Sequence, residues 1–410
     1  MHDKEVKVML ENKWMRAAVP ALLIHISIGS VYCWSTFKAT IAEQIGMSSF
    51  SVGWAFSLAI FFLGMSAAFA GKLVEKNIHR SSLISCICFT TGMIGTGLSI
   101  QFLKGIPALI AIFICYGCIM GVGLGIGYLT PVKTLMLWFK DKKGLATGIS
   151  IMGFGLAKAI ATPIMEAIQS GMGISAMFYI LGGVYFAMMF LGHILLKKPE
   201  GWVEEENEHF SIKEMFKKKE FLGIWLMFFL NIHCGLMLIT YEKQILQTVF
   251  AGAAVLGLIV SVVPSVSSAF NAGGRIGYAS VSDKLKQRNS IYKIIFMSCI
   301  GICALTLGTS MTGFMVIALL FVVNAGYGGG FSTLPALLSE RFGMKKISKI
   351  HGLALSAWAI AGLTGNNMSE LILGAANDAM AGYNWILVSI LILYAVALLI
   401  CWFMVGKKRV

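Results

Sequence analysis

Twelve apolar segments alternate with short polar loops along this chain, and each is about as long as a helix that crosses a membrane. A hydrocarbon layer about 30 Å thick requires roughly 20 apolar residues per helical crossing. Hydrophobic residues make up 57% of the 410 residues and charged residues 13%, about half of the ~25% typical of soluble proteins. The pattern predicts an all-α multi-pass membrane protein with twelve transmembrane helices. The segments lie near residues 18–37, 50–70, 82–103, 106–138, 145–167, 174–196, 221–241, 252–281, 291–310, 312–338, 350–375 and 384–406.

The positively charged residues are distributed unevenly among the predicted loops. Most of the 33 lysines and arginines lie in the two termini and in every second loop. The exceptions are Lys38, Lys104 and Lys243 in the other loops, and Lys133, Lys158 and Arg275 within apolar segments. Because basic loops stay on the cytoplasmic side, we expect both termini in the cytoplasm and the protein in the plasma membrane. The net charge of +14 is therefore explained by the basic loops on the cytoplasmic side of the membrane. We predict no nucleic-acid or protein partner.

The first and second halves of the chain repeat each other. With an offset of 204 residues, Pro131 falls on Pro335. The long polar stretch between the halves, residues 199–220, has an acidic run and then a basic run, which is typical of a solvated linker with a short surface helix. Parallel repeats of this size indicate a carrier whose substrate binds near the bilayer midplane. We therefore predict two pseudo-symmetric six-helix bundles, residues 1–198 and 221–410, joined by a cytoplasmic linker.

One arginine lies deep in the eighth apolar segment. Arg275 is eight residues before Asp283, at the water-facing end, and so about 12 Å inside at ~1.5 Å per residue. An unpaired guanidinium at that depth costs at least a few kcal/mol, so we expect it to face a cavity and meet an anion. Asn271 lies one turn earlier on the same face, where it could grip the same carboxylate. The alternative is that Arg275 pairs with protein carbonyls or a protein carboxylate for folding alone.

The sequence contains no motif of catalysis or metal binding. There is no HExxH, no GxxxxGK and no Cys/His set at zinc-ligand spacing. The nine cysteines lie within apolar runs, and although Cys115 and Cys118 form a CxxC, no second pair accompanies them, so we expect packing thiols. We predict that the chain is not an enzyme and uses no cofactor or metal. Its charged first residues contain no small-residue cleavage site, so the first apolar segment is expected to be retained.

Four stretches resemble the oxalate/formate antiporter and bacterial monocarboxylate transporter family of the major facilitator superfamily. They are GSVYCWSTF from Gly29, GIGYLTPVKTLMLWFKDKKGLATGISIMGFG from Gly125, WLMFFLNIHCGLML from Trp225 and NAGGRIGYASVSD from Asn271. Because they are spread over both halves, the resemblance covers essentially the whole chain. It implies the twelve-helix fold of that superfamily, and the import or exchange of small carboxylates.

The resemblance also implies roles for individual residues. In this family the arginine of an NxxxR pair in the eighth helix binds the substrate carboxylate, and the matching residues here are Arg275 and Asn271. Tyr128, before the fourth-helix proline, and Tyr327, at the start of the tenth-helix glycine run, look like the family's pore aromatics. Tyr32 matches the GSxYxW pattern of the first helix and is expected in the same cage. A backbone carbonyl is the alternative partner for a buried phenol.

One departure from the family pattern bears on the substrate. The branch that carries oxalate has a second cation, a lysine six residues after a glycine in the eleventh helix, and Trp358 occupies that place after Gly352 here. A monocarboxylate with an apolar tail could pack on the indole, which favours lactate, pyruvate or formate. If Lys158 faces the cavity, it could replace the missing second cation, and the interpretation as a dicarboxylate transporter then stays open. Alternatively it could pair with Glu370, since Glu166 on its own helix is about 12 Å away along the axis.

Acidic and basic residues after the second and eighth segments are candidates for gating. The predicted pairs are Glu75 with Arg80 and Asp283 with Arg288. They are expected to brace one conformational state at the cytoplasmic end, each with at most about 1 kcal/mol. The candidates for carrying a proton are His25, His233, His351, Glu166 and Glu370. A histidine near neutral pKa suits that task, whereas a neutral histidine bonded to a carbonyl, and acids that only close the extracellular ends, are the alternatives.

The sequence therefore predicts a secondary active transporter of small organic anions in the lipid bilayer, most consistent with a monocarboxylate. It would work by alternating access, with either proton symport or anion exchange. A dicarboxylate exchanger that uses Arg275 plus Lys158 is the second interpretation. A transporter-like anion sensor or a channel is a third, although a two-fold repeat with midmembrane charge suits a carrier better.

Overall fold

The computed structural model describes residues 12–199 and 211–406, and every regular element within these ranges is a helix. Residues 200–210 of the predicted linker lie outside the described ranges. Twelve helices are long, and α7 and α9 are short. In chain order they are α1 (Trp14–Ile45), α2 (Ser49–Lys76), α3 (Ile78–Phe102), α4 (Gly105–Trp138), α5 (Lys143–Met172), α6 (Ile174–Leu195), α7 (Ile212–Lys217), α8 (Lys219–Ile239), α9 (Glu242–Val249), α10 (Leu256–Ser282), α11 (Asn289–Gly308), α12 (Gly313–Phe342), α13 (Ile347–Ala375) and α14 (Ala379–Phe403).

Eleven of these helices are long and apolar enough to cross a membrane. The exception among the long helices is α13, which is less apolar because its second half contains Asn366, Asn367 and Glu370. α13 nevertheless has 29 residues, and a helix of that length exceeds a hydrocarbon layer about 30 Å thick. The prediction of an all-helical membrane protein with twelve long helices is confirmed.

Two pairs of long helices connect the residues before the gap at 200–210 with those after it. α2 packs along α13, and α5 packs along α10. A Cβ on Gly64 of α2 would stand 2.6 Å from the backbone nitrogen of Ala359, and one on Gly148 of α5 would stand 2.9 Å from the carbonyl oxygen of Arg275. Small residues of this kind allow close helix crossings in a bilayer. Since α10 also packs against α12, its polar side chains are enclosed between α5 and α12.

The first long helix is not uniformly α-helical. α1 begins with a π-helical turn, Trp14–Ala18, and narrows to a 3₁₀ turn at Ser30–Cys33. Just before the narrow turn, a Cβ on Gly29 would stand 2.6 Å from the carbonyl oxygen of Phe154, so α1 touches the backbone of α5. Such non-α turns inside helices often mark functional sites. Here the turn carries Tyr32 to the interior, where its ring meets that of Phe154.

The two ends of the helical bundle differ in charge. One end, called here the basic end, carries the lysine- and arginine-rich loops 139–142, 283–288 and 343–346. The opposite end carries loops 46–48, 103–104 and 309–312 and the segment 240–255, which contains α9. Between these ends lies the polar interior that the α10 side chains help to form.

Candidate functional site

The guanidinium of Arg275 lies in the interior between α5, α10 and α12, fully buried. Its Nε donates to Oδ1 of Asn271 at 2.8 Å, and its Nη1 donates to the carbonyl oxygen of Ile151 at 3.3 Å. The rings of Phe154 and Phe331 lie 5.6 and 5.2 Å from the guanidinium carbon, within range of cation–π attraction. Nη2 has no hydrogen-bond partner among the described residues. Both N–H groups of Nη2 are therefore left for an acceptor.

Two glycines make room for this arginine. A Cβ on Gly155 of α5 would stand 2.9 Å from Oδ1 of Asn271 and 3.0 Å from Nε of Arg275. On the other side, a Cβ on Gly328 of α12 would stand 3.0 Å from Cγ of Arg275. Both flanking helices thus lack a side chain at the place where Asn271 and Arg275 project from α10. This packing explains the glycines at positions 155 and 328.

A pair of tyrosines lies between Arg275 and a cavity that opens away from it. The hydroxyls of Tyr32 in α1 and Tyr327 in α12 are 2.6 Å apart and share a hydrogen bond. Both tyrosines line the cavity together with Asn271, whereas Arg275 is not part of its lining. The tyrosine pair therefore forms the inner end of the cavity and covers the guanidinium.

Two further aromatic residues complete the surroundings of the guanidinium. Tyr128 and Trp358 are fully buried, with ring centroids 5.4 Å apart. Each ring also contacts the rings of Phe154 and Phe331, the same two rings that flank Arg275. The hydroxyl of Tyr128 and Nε1 of Trp358 have no partner within the described part of the chain. Buried polar atoms are normally paired, so three unsatisfied donors around two phenylalanine rings indicate a place for an acceptor.

The cavity outside the tyrosine pair has a volume of about 100 Å³, enough for a few water molecules or one small anion. It extends from Asn271 away from the basic end. Its lining includes the exposed residues Ser35 and Gln244, so the cavity reaches the surface. Lys158 and Glu242 contribute charged groups to its wall.

Lys158 faces this cavity from α5. Its ammonium lies 3.7 Å from Oε2 of Glu242, the first residue of α9. The predicted alternative that Lys158 pairs with Glu370 is wrong, because Glu370 instead accepts a hydrogen bond from the hydroxyl of Tyr241 at 2.6 Å. Glu242 is 2% exposed, and its second oxygen, Oε1, has no partner among the described residues. The cavity therefore contains a buried ion pair that joins α5 to α9.

The two histidines predicted as proton carriers lie outside the cavity lining. His25 is fully buried between the carbonyl oxygens of Ser150, at Nδ1, and of Tyr128, 3.2 Å from Nε2. His233 shares a hydrogen bond with the hydroxyl of Thr364 at 2.9 Å. Both rings are held by neutral oxygen atoms, so the structure brings neither of them to Arg275 or to the surface of the cavity.

The two acids predicted as proton carriers lie towards the end opposite the basic end. Glu166 has a side chain that is 53% exposed, and its Oε1 lies 3.9 Å from Nζ of Lys243. Glu370 is held by Tyr241. His351, also considered as a carrier, is buried in α13 with its ring 6.1 Å from that of Tyr128. Of these acids and histidines, none is in contact with the guanidinium in the part of the chain described here.

At the basic end, Asp283 joins α10 to the start of α5. Its carboxylate accepts hydrogen bonds from the backbone nitrogens of Gly144 and Leu145 at 2.9 and 2.8 Å. A carboxylate is stabilised at a helix N-terminus by the unpaired N–H groups and by the helix dipole. Arg288 lies beside it as predicted, with Nη1 2.7 Å from Oδ1 of Asp283. This contact closes the basic end between the two sets of helices.

The predicted pairing of Glu75 with Arg80 is wrong. Oε2 of Glu75, near the end of α2, lies 3.6 Å from Nζ of Lys349 in α13, and Arg80 is exposed. The reason is local: Asn77 has an extended backbone that separates α2 from α3, and its side chain caps the backbone nitrogen of Arg80 at 2.9 Å. Arg80 therefore belongs to a different helix with a different direction.

Several functional positions were not predicted from the sequence. Glu242 is the most important of them. The sequence did contain an indication of its role, because Glu242 is the only acidic residue between Glu220 and Asp283. Asn324 accepts a hydrogen bond from Nδ2 of Asn271 at 3.3 Å, and a polar residue one turn before Tyr327 in an apolar segment was a second signal. The phenylalanines at 154 and 331 gave no signal, because apolar segments contain many such residues.

The fold and the site together define a multi-pass membrane carrier, with a central polar cavity enclosed by two connected sets of helices. The family model described as the Major Facilitator Superfamily matches residues 21–366, and the chain belongs to this superfamily. It is accordingly a secondary transporter and not an enzyme, as predicted.

Curated relatives cover most of this chain at low identity. The oxalate:formate antiporter of Oxalobacter formigenes is 25% identical over 382 residues, 92% of this chain and 87% of that protein. An uncharacterized transporter of the superfamily, YhjX of Escherichia coli K12, is 26% identical over 364 residues, 86% of each chain. Apicoplast pyruvate carrier 1 of Toxoplasma gondii is 21% identical over 435 residues, covering 81% of this chain and 78% of that protein. The predicted resemblance is thus confirmed as a distant one.

Solved structures show the same fold. The proton:xylose symporter XylE superposes with a TM-score of 0.70 at 13% identity, covering 96% of this chain and 97% of that chain. A bacterial homologue of the iron transporter ferroportin superposes with a TM-score of 0.74 at 11% identity, covering 96% and 98%. At these identities the likeness concerns the architecture alone.

Proposed function

We propose that this chain transports small monocarboxylates of the lactate, pyruvate or formate class by alternating access, with proton symport or anion exchange. The observation that carries the proposal is the buried guanidinium of Arg275, whose Nη2 lies unpartnered among the unsatisfied donors of Tyr128 and Trp358. A carboxylate oxygen among these groups would pair all three. Hydrogen bonds between ionised partners are roughly twice as strong as neutral ones, so an anion fits this place better than a neutral solute.

Apolar surface around the guanidinium supports an anion with a single charge. The rings of Phe154 and Phe331 flank one cation, and Trp358 packs against both rings. Together they offer packing surface to a short apolar tail. The second cation, Lys158, already has an acidic partner in Glu242. The names of two relatives, an oxalate:formate antiporter and a pyruvate carrier, are in line with a small carboxylate.

A dicarboxylate exchanger is the second candidate, and the position of Lys158 favours it. Gly155, which allows α5 to approach Arg275, is three residues before Lys158, and that separation is about 4.5 Å along the helix axis. Gly155 marks the place where the guanidinium meets α5. Lys158 therefore lies about one helical turn closer to the mouth of the cavity than that place. A dianion that displaced Glu242 could bridge Arg275 and Lys158.

For the transport cycle, we propose that residues 1–198 and 221–410 move as two bodies joined by the linker 199–220. The basic end would face the cytoplasm of a cell whose plasma membrane contains the protein. Entry from the cavity requires the hydrogen bond between Tyr32 and Tyr327 to open. Exit at the basic end requires the contacts of Asp283 and Glu75 to open, so the structure corresponds to a state that is closed at the basic end.

The proposal is tested by counterflow of labelled lactate in liposomes that contain the purified full-length chain. We expect saturable counterflow that pyruvate and formate inhibit and that lactamide, which lacks the carboxylate, does not. Arg275→Lys is expected to lower kcat/KM at least about 100-fold, because a single ammonium does not reproduce the forked donors of a guanidinium. Arg16→Lys, an equivalent change outside the cavity, serves as the control and should transport like the wild type.

The same assay separates the other classes of function. Labelled lactate that equilibrates without counterflow would identify a channel, and saturable binding without flux would identify a sensor. Undiminished counterflow by Arg275→Ala, in protein that elutes as the wild type does in detergent, would contradict the role of the guanidinium.

A further inference from the structure

We propose that Glu242 sets the charge of the anion that the cavity accepts, because it competes with the substrate for Lys158. The inference rests on the proposed transport of carboxylates and names the residue that selects among them. An ionised Glu242 neutralises Lys158 and leaves the guanidinium of Arg275 for a monoanion. A protonated Glu242 releases Lys158, and a dianion then bridges the ammonium and the guanidinium.

The geometry of the ion pair is suited to such a switch. Nζ of Lys158 lies 3.7 Å from Oε2 of Glu242, and the two side chains are 15% and 3% exposed. Oε1 of Glu242 is buried without a partner among the described residues. A buried carboxylate is expensive unless its oxygens are all satisfied. One long contact therefore joins Lys158 to Glu242, whose carboxylate also interacts with the side chain of Ser267. Either a proton on Glu242 or an anion on Lys158 can replace the contact between the two charged groups.

The position of the pair places it on the path of the substrate. Glu242 begins the short helix α9, while Lys158 belongs to α5, so the contact crosses the cavity between the two sets of helices. Asn271 lines the same cavity as both charged residues and holds Nε of Arg275. An anion with two carboxylates, one at Arg275, would thus direct its second carboxylate into the space next to Lys158.

Burial also prepares Glu242 for protonation. It raises the pKa of this carboxyl above its ordinary value, although the ammonium of Lys158 beside it acts in the opposite direction. Lys243, the neighbour of Glu242 on α9, lies 3.9 Å from Glu166, and Lys38 of α1 lines the partly exposed part of the cavity. The helices packed against α9 also carry the titratable groups Arg275 and Tyr278 in α10, Tyr327, Glu340 and Arg341 in α12, and Tyr383, Tyr394 and Cys401 in α14.

The charges balance in both loaded states. A monoanion binds at Arg275 without a change in protonation. A dianion binds together with one proton, which Glu242 takes up from the aqueous phase while Lys158 remains an ammonium. Arg275, Lys158, Glu242 and the bound anion then have the same net charge of zero in either case. Binding of a dianion is therefore expected to strengthen as the pH falls through the pKa of Glu242, whereas binding of a monoanion is expected to be nearly independent of it.

The test uses lactate counterflow with oxalate as the competitor, between about pH 7.5 and about pH 5.5, where both acids stay ionised. In the wild type, the oxalate concentration for half-inhibition is expected to fall on acidification, by at most about tenfold per pH unit, the limit for uptake of one proton. Glu242→Gln is expected to show strong oxalate inhibition at both pH values. Lys158→Gln should show weak oxalate inhibition at both.

Three further variants make the result specific. Glu43→Gln, an exposed acid on α1, should retain the pH dependence of the wild type. Glu242→Asp keeps a carboxylate and should retain that dependence too, which separates the charge of the residue from a packing role. Glu166→Gln tests the other acid with a neighbouring lysine, and we expect it to behave as the wild type does.

The outcomes distinguish this inference from the proposed function. If the wild type shows no lactate counterflow, the proposed function fails. If lactate counterflow is normal and oxalate inhibition has the same pH dependence in the wild type and in Glu242→Gln, only the role of Glu242 fails. The inference would also be overturned if Glu166→Gln, and not Glu242→Gln, lost the pH dependence of oxalate inhibition. It would be overturned as well if Glu242→Gln lost lactate counterflow while Glu242→Asp retained it.

Discussion

At the basic end, two acidic residues in repeat-related positions connect the two sets of helices, and their contacts differ in kind. Asp283, just after α10, accepts hydrogen bonds from backbone nitrogens at the start of α5 at 2.8 and 2.9 Å. Glu75, near the end of α2, lies 3.6 Å from the side-chain nitrogen of Lys349, near the start of α13. The first contact is fixed by the backbone, and the second depends on a flexible ammonium.

The position of a glycine explains this difference. At the Asp283 contact the glycine is on the receiving helix, where a Cβ on Gly144 would overlap the carbonyl oxygen of Ala279 in α10. At the Glu75 contact the glycine is on the helix that carries the acid, where a Cβ on Gly71 would stand 2.6 Å from Cα of Lys349. The start of α5 therefore exposes its backbone N–H groups to a carboxylate, whereas the start of α13 presents a side chain.

The comparison teaches that the internal repeat preserves helix packing but not polar chemistry. A hydrogen bond to a charged group contributes about 1.5–3 kcal/mol, and an ion pair of partly exposed side chains contributes up to about 1 kcal/mol. We therefore expect the Asp283 contact to hold the basic end closed more strongly than the Glu75 contact does. Substitutions at the two contacts measure how unequal they are.

The largest effect is expected from Gly144→Ala. The added methyl group cannot fit against the backbone of α10, so α5 and α10 must separate at the basic end. We expect a distance increase of several ångströms, on the order of one methyl diameter, between spin labels at positions 140 and 286. Gly171→Ala, on the same helix with no atom within 4 Å of the new Cβ, is the control. An unchanged distance in Gly144→Ala would contradict the close approach.

A smaller effect is expected from Asp283→Asn, which removes the charge but keeps one acceptor. The loss of about 1–3 kcal/mol corresponds to a shift of roughly 5- to 150-fold in the population that is open at the basic end. The same pair of labels reports this population as a second, longer distance. Asp141→Asn replaces an exposed acid in the adjacent loop and should show the wild-type distribution. A wild-type distribution in Asp283→Asn would mean that packing alone closes this end.

The basic-end contacts also show what the sequence could and could not predict. The twelve segments were predictable because hydrophobicity is a local property, and the depth of Arg275 followed from counting residues along one helix. The NxxxR spacing likewise placed Asn271 beside it, since residues four apart share a helix face. The pairing of Asp283 with Arg288 was predictable for a similar reason, because both residues lie in one short loop.

Pairings between distant helices were not predictable. Lys349 lies 274 residues after Glu75 (349 − 75), and Glu242 lies 84 residues after Lys158 (242 − 158). The packing of α2 on α13, and the position of α5 across the cavity from α9, bring these partners together. Sequence reasoning paired Glu75 with Arg80 nearby in the chain, and it left Lys158 either facing the cavity or paired with Glu370. The structure corrects the pairings with Arg80 and Glu370. The three buried donor atoms without partners near Phe154 belong to Arg275, Tyr128 and Trp358. They were not predictable either, because the sequence does not show which buried polar atoms lack a hydrogen bond.

The smallest effect is expected from Glu75→Gln. Its ion pair is partly exposed, and Oε1 of Glu75 already lacks a partner in the described residues, so the loss should be at most about 1 kcal/mol, or roughly fivefold in the open population. Lys349→Met removes the other member, and the double variant should be no more open than either single one, because the two residues act through one contact. Effects of the two single variants that add in the double variant would show that Glu75 and Lys349 do not act through one contact. An effect of Glu75→Gln as large as that of Asp283→Asn would show that the two contacts are equivalent in strength despite their different geometry, and that the repeat has conserved the energy of closure by other means.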